Sequence, residues 1–180
     1  MAEAKPFAPV KLICGLISGK NDVFLSAEKA LSRDFGPVES VSEFYPFDLT
    51  GYYDKEMEQP LRRRFLSFEP LVPPDDLSRI KRVTNRMEIE LQEQHHAHIR
   101  VVNIDPGYLS GSSLVMGTAK DFAHRIPLGE GIYAHLELLF GKDHIKTLEW
   151  TYPDFKSPRY HGWLLQVRKR YLEQIRPVGT

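Results

Sequence analysis

The sequence predicts a single α+β domain, residues 1–180, in which a mixed, largely antiparallel sheet carries two or three helices packed on one face. Three observations favour this fold class. Two segments of the first half repeat apolar residues at helical spacing, several short strand-like runs follow them, and one further helical stripe comes near the end. Residues 1–9 and 176–180 are expected to be loose termini.

The first half of the chain alternates strands with helices. A helix starts near Asn21 and ends at Gly36, where glycine favours a C-terminal cap. Pro73-Pro74 opens the second helix, whose apolar stripe spans residues 77–91. Its basic residues are predicted to lie off that stripe: Arg79, Lys81, Arg82 and Arg86. The predicted strands of this half cover residues 10–17, 38–47 and 61–72.

The second half is predicted to be a series of strands followed by one helix. Residues 105–108 are expected to form a turn, because Pro106 and Gly107 supply the required dihedral angles. Ser157 and Pro158 are a good N-cap and first-turn pair for the last helix. The predicted strands cover residues 99–104, 113–119, 124–128, 132–140 and 145–150.

Composition excludes several classes of function. Because 24 basic residues balance 24 acidic ones, no net charge attracts the protein to nucleic acid or to an anionic membrane. No apolar run approaches the length of a membrane span, and the N-terminal residues lack the apolar core of a signal peptide. Cys14 is alone, which excludes an internal disulfide and a cysteine-based zinc site. We therefore expect a cytoplasmic protein without nucleic-acid or membrane partners.

Polar side chains are concentrated at predicted strand ends between residues 103 and 137, and they form the candidate ligand site. Lys120 and Arg125 are expected to bind an anion, and His124 is the candidate catalytic residue, as a donor or general acid–base. Three further residues would orient the rest of the ligand: Asn103, Asp105 and Tyr108. The alternative is a satisfied structural network, in which His124 is a core histidine bonded to a backbone carbonyl or to Asp105.

The hairpin around residues 129–131 decides which side chains share a face. A three-residue loop would pair Ile126 with Ala134 and would place both, with Leu136, on the core face. The opposite face would then hold His135 and Glu137, among other polar residues. The apolar pattern favours this register over a two- or four-residue loop.

Six stretches carry a distinctive set of motifs: residues 46–53, 64–69, 102–108, 120–126, 131–134 and 150–155. Together they resemble an uncharacterised bacterial family known as domain of unknown function 4416, over nearly the whole chain. The resemblance implies no established activity or catalytic residue, although some members carry the label GTP-binding protein. The chain departs from the family pattern at Pro127, where an aromatic residue is usual, and at His135, where an acid is usual.

The GTP label can be compared with the glycine-containing segment that starts at Gly15. A P-loop requires four residues between its glycines and then Lys-Ser/Thr, so that backbone N–H groups surround the phosphate and a hydroxyl binds magnesium. Here three residues separate Gly15 from Gly19, and Asn21 stands where the hydroxyl is needed. The segment therefore predicts an ordinary strand-to-helix turn.

Metal and nucleic-acid sites are not predicted. The histidines at 95, 96 and 98 lie in a polar connection, and a set of Asp105, His124 and Glu137 lacks the spacing of a recognised metal motif. The basic run at residues 62–64 is interpreted as a solvated strand end rather than a nucleic-acid contact.

Two hypotheses from different classes follow. The first is a site at the strand ends around Lys120–Arg125 for a phosphorylated small molecule or nucleotide. The second is a non-enzymatic interaction or scaffold domain that docks a protein partner through aromatic loops, Tyr52-Tyr53 and Trp150–Tyr152. Convergence of the polar residues around one concavity would favour the first. The sequence leaves open whether a reaction is catalysed, and it indicates no cofactor.

Overall fold

One antiparallel sheet of nine strands organises residues 3–176, the part of the chain that the computed structural model describes. Its main strand order is β2-β4-β1-β5-β6-β8-β7, with β3 paired to β4 and β9 paired to β8. The strands are β1 Val10–Ser18, β2 Val38–Val41, β3 Tyr45–Pro46, β4 Arg62–Val72, β5 Asn103–Leu109, β6 Ser113–Thr118, β7 Ile126–Gly129, β8 Ile132–Phe140 and β9 Ile145–Thr147. The helices are α1 Asn21–Phe35, α2 Leu77–Gln94, α3 Pro153–Lys156 and α4 His161–Gln174.

The predicted α+β class is confirmed, with two helices packed on one face of the sheet. Helices α1 and α2 pack with Leu12 and Leu16 of β1, whereas α4 packs with Ile13 on the opposite face. Strand β1 is therefore covered on both faces, and all nine of its residues are buried. A continuous apolar run without alternation is the sequence pattern that such double burial requires.

The ends of the chain and its helices bear on two further expectations. Of the predicted loose termini, residues 1–2 and 177–180 lie outside the described residues. Among the helices within residues 3–176, none combines the length and apolarity needed to cross a lipid bilayer.

Strand β5 differs from its prediction, because residues 105–108 continue the strand instead of forming a turn. Pro106 lies opposite Cys14 of β1 in a regular antiparallel ladder. The backbone N–H and carbonyl of Ile104 form hydrogen bonds with side chains of α2, so they point away from β1. Backbone groups two residues apart in a strand point to the same side, so the nitrogen of Pro106 also points away from β1. The missing N–H of proline is thus on the side away from β1, where it costs no ladder hydrogen bond.

Strands β5 and β6 separate along half of their length. Their ladder covers only Gly107–Leu109 of β5, whereas β6 pairs with β8 from Ser113 to Thr118. In the gap, the Ile104 carbonyl accepts a hydrogen bond from Lys81 Nζ at 2.8 Å, and its N–H donates to Glu88 Oε1 at 2.7 Å. Two side chains of α2 therefore take the place of the missing strand.

In the β7–β8 hairpin, the predicted strand pairing is confirmed, but the predicted loop length is wrong. Ile126 pairs with Ala134 as predicted, but Gly129 pairs with Ile132, so the loop has two residues instead of three. Both loop residues, Glu130 and Gly131, have positive φ angles, as a two-residue hairpin turn requires. A β-bulge at Leu128, between Pro127 and Gly129 of β7, takes up the extra residue and keeps Ile126 opposite Ala134.

The predicted core face of this hairpin is also wrong. Ile126 is 67% exposed and Leu136 only half-buried, while His135 and Glu137 are fully buried. The expectation assumed that apolar residues would occupy the core face. Here His135 Nε2 lies 2.7 Å from Glu137 Oε2, and Glu137 Oε1 accepts from the Tyr152 N–H, and these contacts reduce the penalty for placing the two residues inside.

Candidate functional site

The gap between β5 and β6 opens into a cavity of about 280 Å³. Strand β5 contributes Asn103 and Asp105, β6 contributes Thr118, and α2 contributes Lys81 across the gap. The connections before β4, after β6 and before α3 complete the wall, mostly with aromatic side chains. The principal aromatic members are Phe47, Tyr52, Tyr53, Tyr152 and Phe155.

Arg63 of β4 forms the charged floor of the cavity. Its side chain is 5% exposed, and its guanidinium lies 2.6 Å from Asp154 and 3.1 Å from Asp105. Rings of Phe47 and Phe155 lie within 5.0 and 5.3 Å of the same group. Because both carboxylates that line the cavity are paired with this one guanidinium, little negative charge is left to repel an anionic ligand.

Asn103 is one of two polar side chains of the wall with an unmet hydrogen-bonding need, and the other is Arg63, whose Nε has no partner among the described residues. The Oδ1 of Asn103 accepts from Arg100 at 2.6 Å, but its Nδ2 has no partner among the described residues, although the residue is only 3% exposed. Arg100 itself pairs with Glu88 behind the wall. A buried amide donor without a partner is costly, and because water does not reach this nitrogen, an acceptor in the cavity would bond it only after a shift of the side chain.

Lys120 lies at the exposed rim. Its Nζ is 3.7 Å from the centroid of the Tyr52 ring, a cation–π contact, and it has no carboxylate partner within residues 3–176. With Lys81, Arg63 and Arg100, it makes four cationic side chains around the cavity against two carboxylates. The site therefore favours a ligand with negative charge.

A second polar cluster lies outside the cavity, around His135 of β8. Its Nε2 is 2.7 Å from Glu137 Oε2, and its Nδ1 is 3.3 Å from Arg125 Nε and 3.1 Å from His124 Nε2. Because arginine can only donate, His135 Nδ1 must accept, which places the imidazole proton on Nε2, toward Glu137. Burial raises the pKa of Glu137, and the contact with His135 opposes that shift.

His124 is the half-exposed end of this cluster, with its ring stacked on Trp150 at 4.9 Å. The alternative interpretation, a core histidine bonded to Asp105 or to a backbone carbonyl, is not found, since the side-chain contact of His124 is with His135. Within the described residues, no three side chains of the His, Cys, Asp or Glu type are grouped so as to hold a metal ion.

The position of His124 predicts a pH dependence of stability. Burial, with smaller contributions from His135 and Arg125, lowers the pKa of His124 below its ordinary value. The unfolded chain therefore binds this proton at higher pH than the folded chain. The contribution of neutral His124 to the free energy of unfolding is therefore complete above the ordinary histidine pKa. This contribution is lost as the pH falls through the lowered pKa of His124 in the folded chain.

We expect the free energy of unfolding of the wild type to decrease between pH 7.5 and pH 5, and the slope to be shallower in His124→Gln. Urea titrations at several pH values measure it. The exposed His98→Gln is the control for loss of an imidazole elsewhere, and an equal change of slope in that variant would contradict the assignment.

The structure brings three of the six candidate site residues into the cavity: Asn103, Asp105 and Lys120. Arg125 and His124 belong to the second cluster and do not line it. Tyr108 pairs with Leu12, whose side chain packs toward α1 and α2, so it lies on the other face of β5 from Asp105.

Four charged residues of the cavity were not among the predicted site residues: Arg63, Lys81, Arg100 and Asp154. Signals existed for two of them. Side chains two positions apart in a strand point to the same face, so Arg63 shares a face of β4 with the buried Phe65. It therefore could not belong to a wholly solvated run. Lys81 lies one helical turn after Leu77, which places it beside the apolar stripe rather than off it. Nothing local in the sequence distinguishes Arg100 or Asp154.

Comparison with known proteins gives one match. The model of a family described as domain of unknown function (DUF4416) matches residues 8–171. No curated protein and no solved structure matches the chain.

Proposed function

We propose that this chain, which belongs to the DUF4416 family, binds a small phosphorylated metabolite such as a nucleotide in the cavity between β5 and β6. The observation that carries the proposal is the excess of cationic side chains around the cavity, with the Lys120 ammonium at the rim free of any carboxylate partner within residues 3–176. Phosphate oxygens are strong acceptors with negative charge, and they suit such a site.

The charged side chains around the cavity favour an anionic ligand over a cationic one. Asp105 and Asp154 are both engaged by Arg63, and Arg100 is paired with Glu88. Lys120 at the rim has an aromatic ring rather than a carboxylate as its neighbour. An entering anion would therefore meet one ammonium group free to bind it.

Size and lining restrict the ligand further. A volume of about 280 Å³ is at the lower end of the range of small-molecule sites, roughly 300–1,000 Å³. Aromatic side chains make up much of the wall, and they suit the apolar face of a base or another planar group. A metabolite of mononucleotide size or smaller fits these limits.

A thermal-shift series with inorganic phosphate, sugar phosphates and nucleotides, with and without magnesium, tests the proposal. A compound at about one hundred times its dissociation constant stabilises the folded state by roughly 2.7 kcal/mol. For a domain of this size, the melting temperature should rise by on the order of 5–10 °C.

Two variants locate the site. Lys120→Ala removes an exposed side chain, so we expect the unliganded melting temperature to stay unchanged and the shift to disappear. Asn103→Asp keeps the acceptor for Arg100 but adds a negative charge to the cavity wall, which should repel an anion and also abolish the shift. Lys146→Ala, an exposed lysine of β9, is the matched control and should respond like the wild type. A shift that survives both cavity variants would contradict this location.

Protein docking is the second candidate function, and one observation favours it. The edge strand β7 and the connection before it expose Phe122, Ile126 and Leu128. Of the aromatic loops first considered for docking, Tyr52 and Trp150 remain exposed. Ile126→Lys should weaken docking and leave a phosphate-dependent shift intact. No shift with any phosphorylated compound would favour docking over the small-molecule proposal.

A further inference from the structure

Tyr152 is a cavity residue whose hydroxyl, ring and backbone each contact the second polar cluster. Its hydroxyl accepts a hydrogen bond from Arg125 at 2.7 Å, and its ring stacks on His135 with centroids 4.8 Å apart. Its backbone N–H donates to Glu137 Oε1 at 2.7 Å. The second polar cluster thus fixes the hydroxyl, the ring and the backbone of one tyrosine in the cavity wall.

Arg125 also connects Tyr152 to the rim. One terminal nitrogen of its guanidinium donates to the Tyr152 hydroxyl, and the other donates to the Lys120 carbonyl at 2.7 Å. A guanidinium is a rigid planar fork, so this pair of bonds sets the distance between the Tyr152 hydroxyl and the backbone carbonyl of Lys120. Arg125 is itself buried, which keeps the fork in place.

The bond from Arg125 determines how the Tyr152 hydroxyl can act. Because arginine cannot accept, the phenol oxygen is the acceptor in this bond, and the phenol hydrogen is not used by Arg125. Burial raises the pKa of Tyr152 to about 12, so the hydroxyl keeps its proton at neutral pH. It is therefore a donor and not a base.

We propose that the Tyr152 hydroxyl and the Lys120 ammonium together form the subsite for the phosphoryl group, and that Arg125 is the positioning residue that holds this pair in register. The inference rests on the proposed function and deepens it, since it names the part of the cavity that takes the anion. It also gives the buried cluster around His135 a role, namely the support of one hydrogen-bond donor.

Isothermal titration with inorganic phosphate tests the subsite. Removing one hydrogen bond to a charged group should weaken binding about ten- to a hundredfold. We expect this loss in Tyr152→Phe, which keeps the ring stacked on His135. Tyr133→Phe, which alters a half-buried tyrosine of β8 outside the cavity lining, should bind phosphate like the wild type.

A double-mutant cycle distinguishes positioning from a general structural role. If Arg125 acts through Tyr152, Arg125→Met should weaken phosphate binding, and the double variant should bind no more weakly than the weaker single variant. If the fold-losses in phosphate affinity of the two single variants multiply in the double variant, the positioning role of Arg125 is overturned. Circular dichroism checks that each variant is folded. If Arg125→Met does not fold, Tyr152→Phe alone still tests the subsite.

The two proposals can fail separately. Phosphate binding to the wild type that is unchanged by Tyr152→Phe, within about twofold, overturns the subsite while the proposed function stands. A wild type that binds neither phosphate nor any nucleotide overturns both.

Discussion

Replacing Arg63 with methionine is expected to lower the free energy of unfolding by about 3–5 kcal/mol, because it leaves a buried carboxylate without its partner. Asp154 lies 2.6 Å from the guanidinium, and its side chain is as deeply buried as that of Arg63. Asp105 would lose its closest cation as well. For a domain of this size, the melting temperature should fall by roughly 6–20 °C.

Urea unfolding of two further variants tests the cause. Arg62→Met changes the neighbouring arginine, which bonds Asn21 at the surface, and it should cost less than about 1 kcal/mol. Adding Asp154→Asn to Arg63→Met should restore part of the lost stability, since the orphaned charge is then removed. A loss below 1 kcal/mol in Arg63→Met would show that the pairing contributes little.

Glu137→Gln is expected to have the second-largest effect, a loss of about 1–3 kcal/mol, although the side chain keeps its shape. The carboxylate accepts from the Tyr152 N–H and faces the Nε2 proton of His135. A glutamine amide would present a donor to that proton. His135 could avoid the conflict only by moving its proton to Nδ1, where it would meet the Arg125 N–H.

Two measurements check this prediction. The free energy of unfolding gives the size of the loss, with the exposed Glu149→Gln as a control that should remain near wild type. Nitrogen chemical shifts of His135 report its tautomer. A wild-type spectrum with the proton on Nδ1 would contradict the hydrogen-bond assignment on which the prediction depends.

The sequence predicted the elements that local pattern determines. The helix ended by Gly36 and the strand at residues 132–140 were predicted closely, because spacing and glycine identify them without tertiary information. Strand β5 was not, since Asp105–Tyr108 contains ordinary turn residues. Whether Pro106 can occupy a strand depends on whether a neighbouring strand needs its N–H, which only the assembled sheet decides.

The candidate site was predicted in part for the same reason. Asn103, Asp105 and Lys120 follow from polar residues at strand ends, whereas Arg125 has the same local pattern but turns toward His135. Arg63 and Asp154 are 91 positions apart in the sequence and meet only through the packing of α3 against β4. Long-range ion pairs of this kind leave no periodic signal.

Pro106 has a consequence for how a ligand would enter. Since Pro106 offers no N–H to a neighbouring strand, a β6 ladder extended along β5 to close the gap would lack one hydrogen bond. The backbone of Ile104 is already committed to Lys81 and Glu88, so closing would also break two hydrogen bonds. The cavity is therefore preorganised: binding requires no strand separation, and association should be governed by passage at the Tyr52–Lys120 rim.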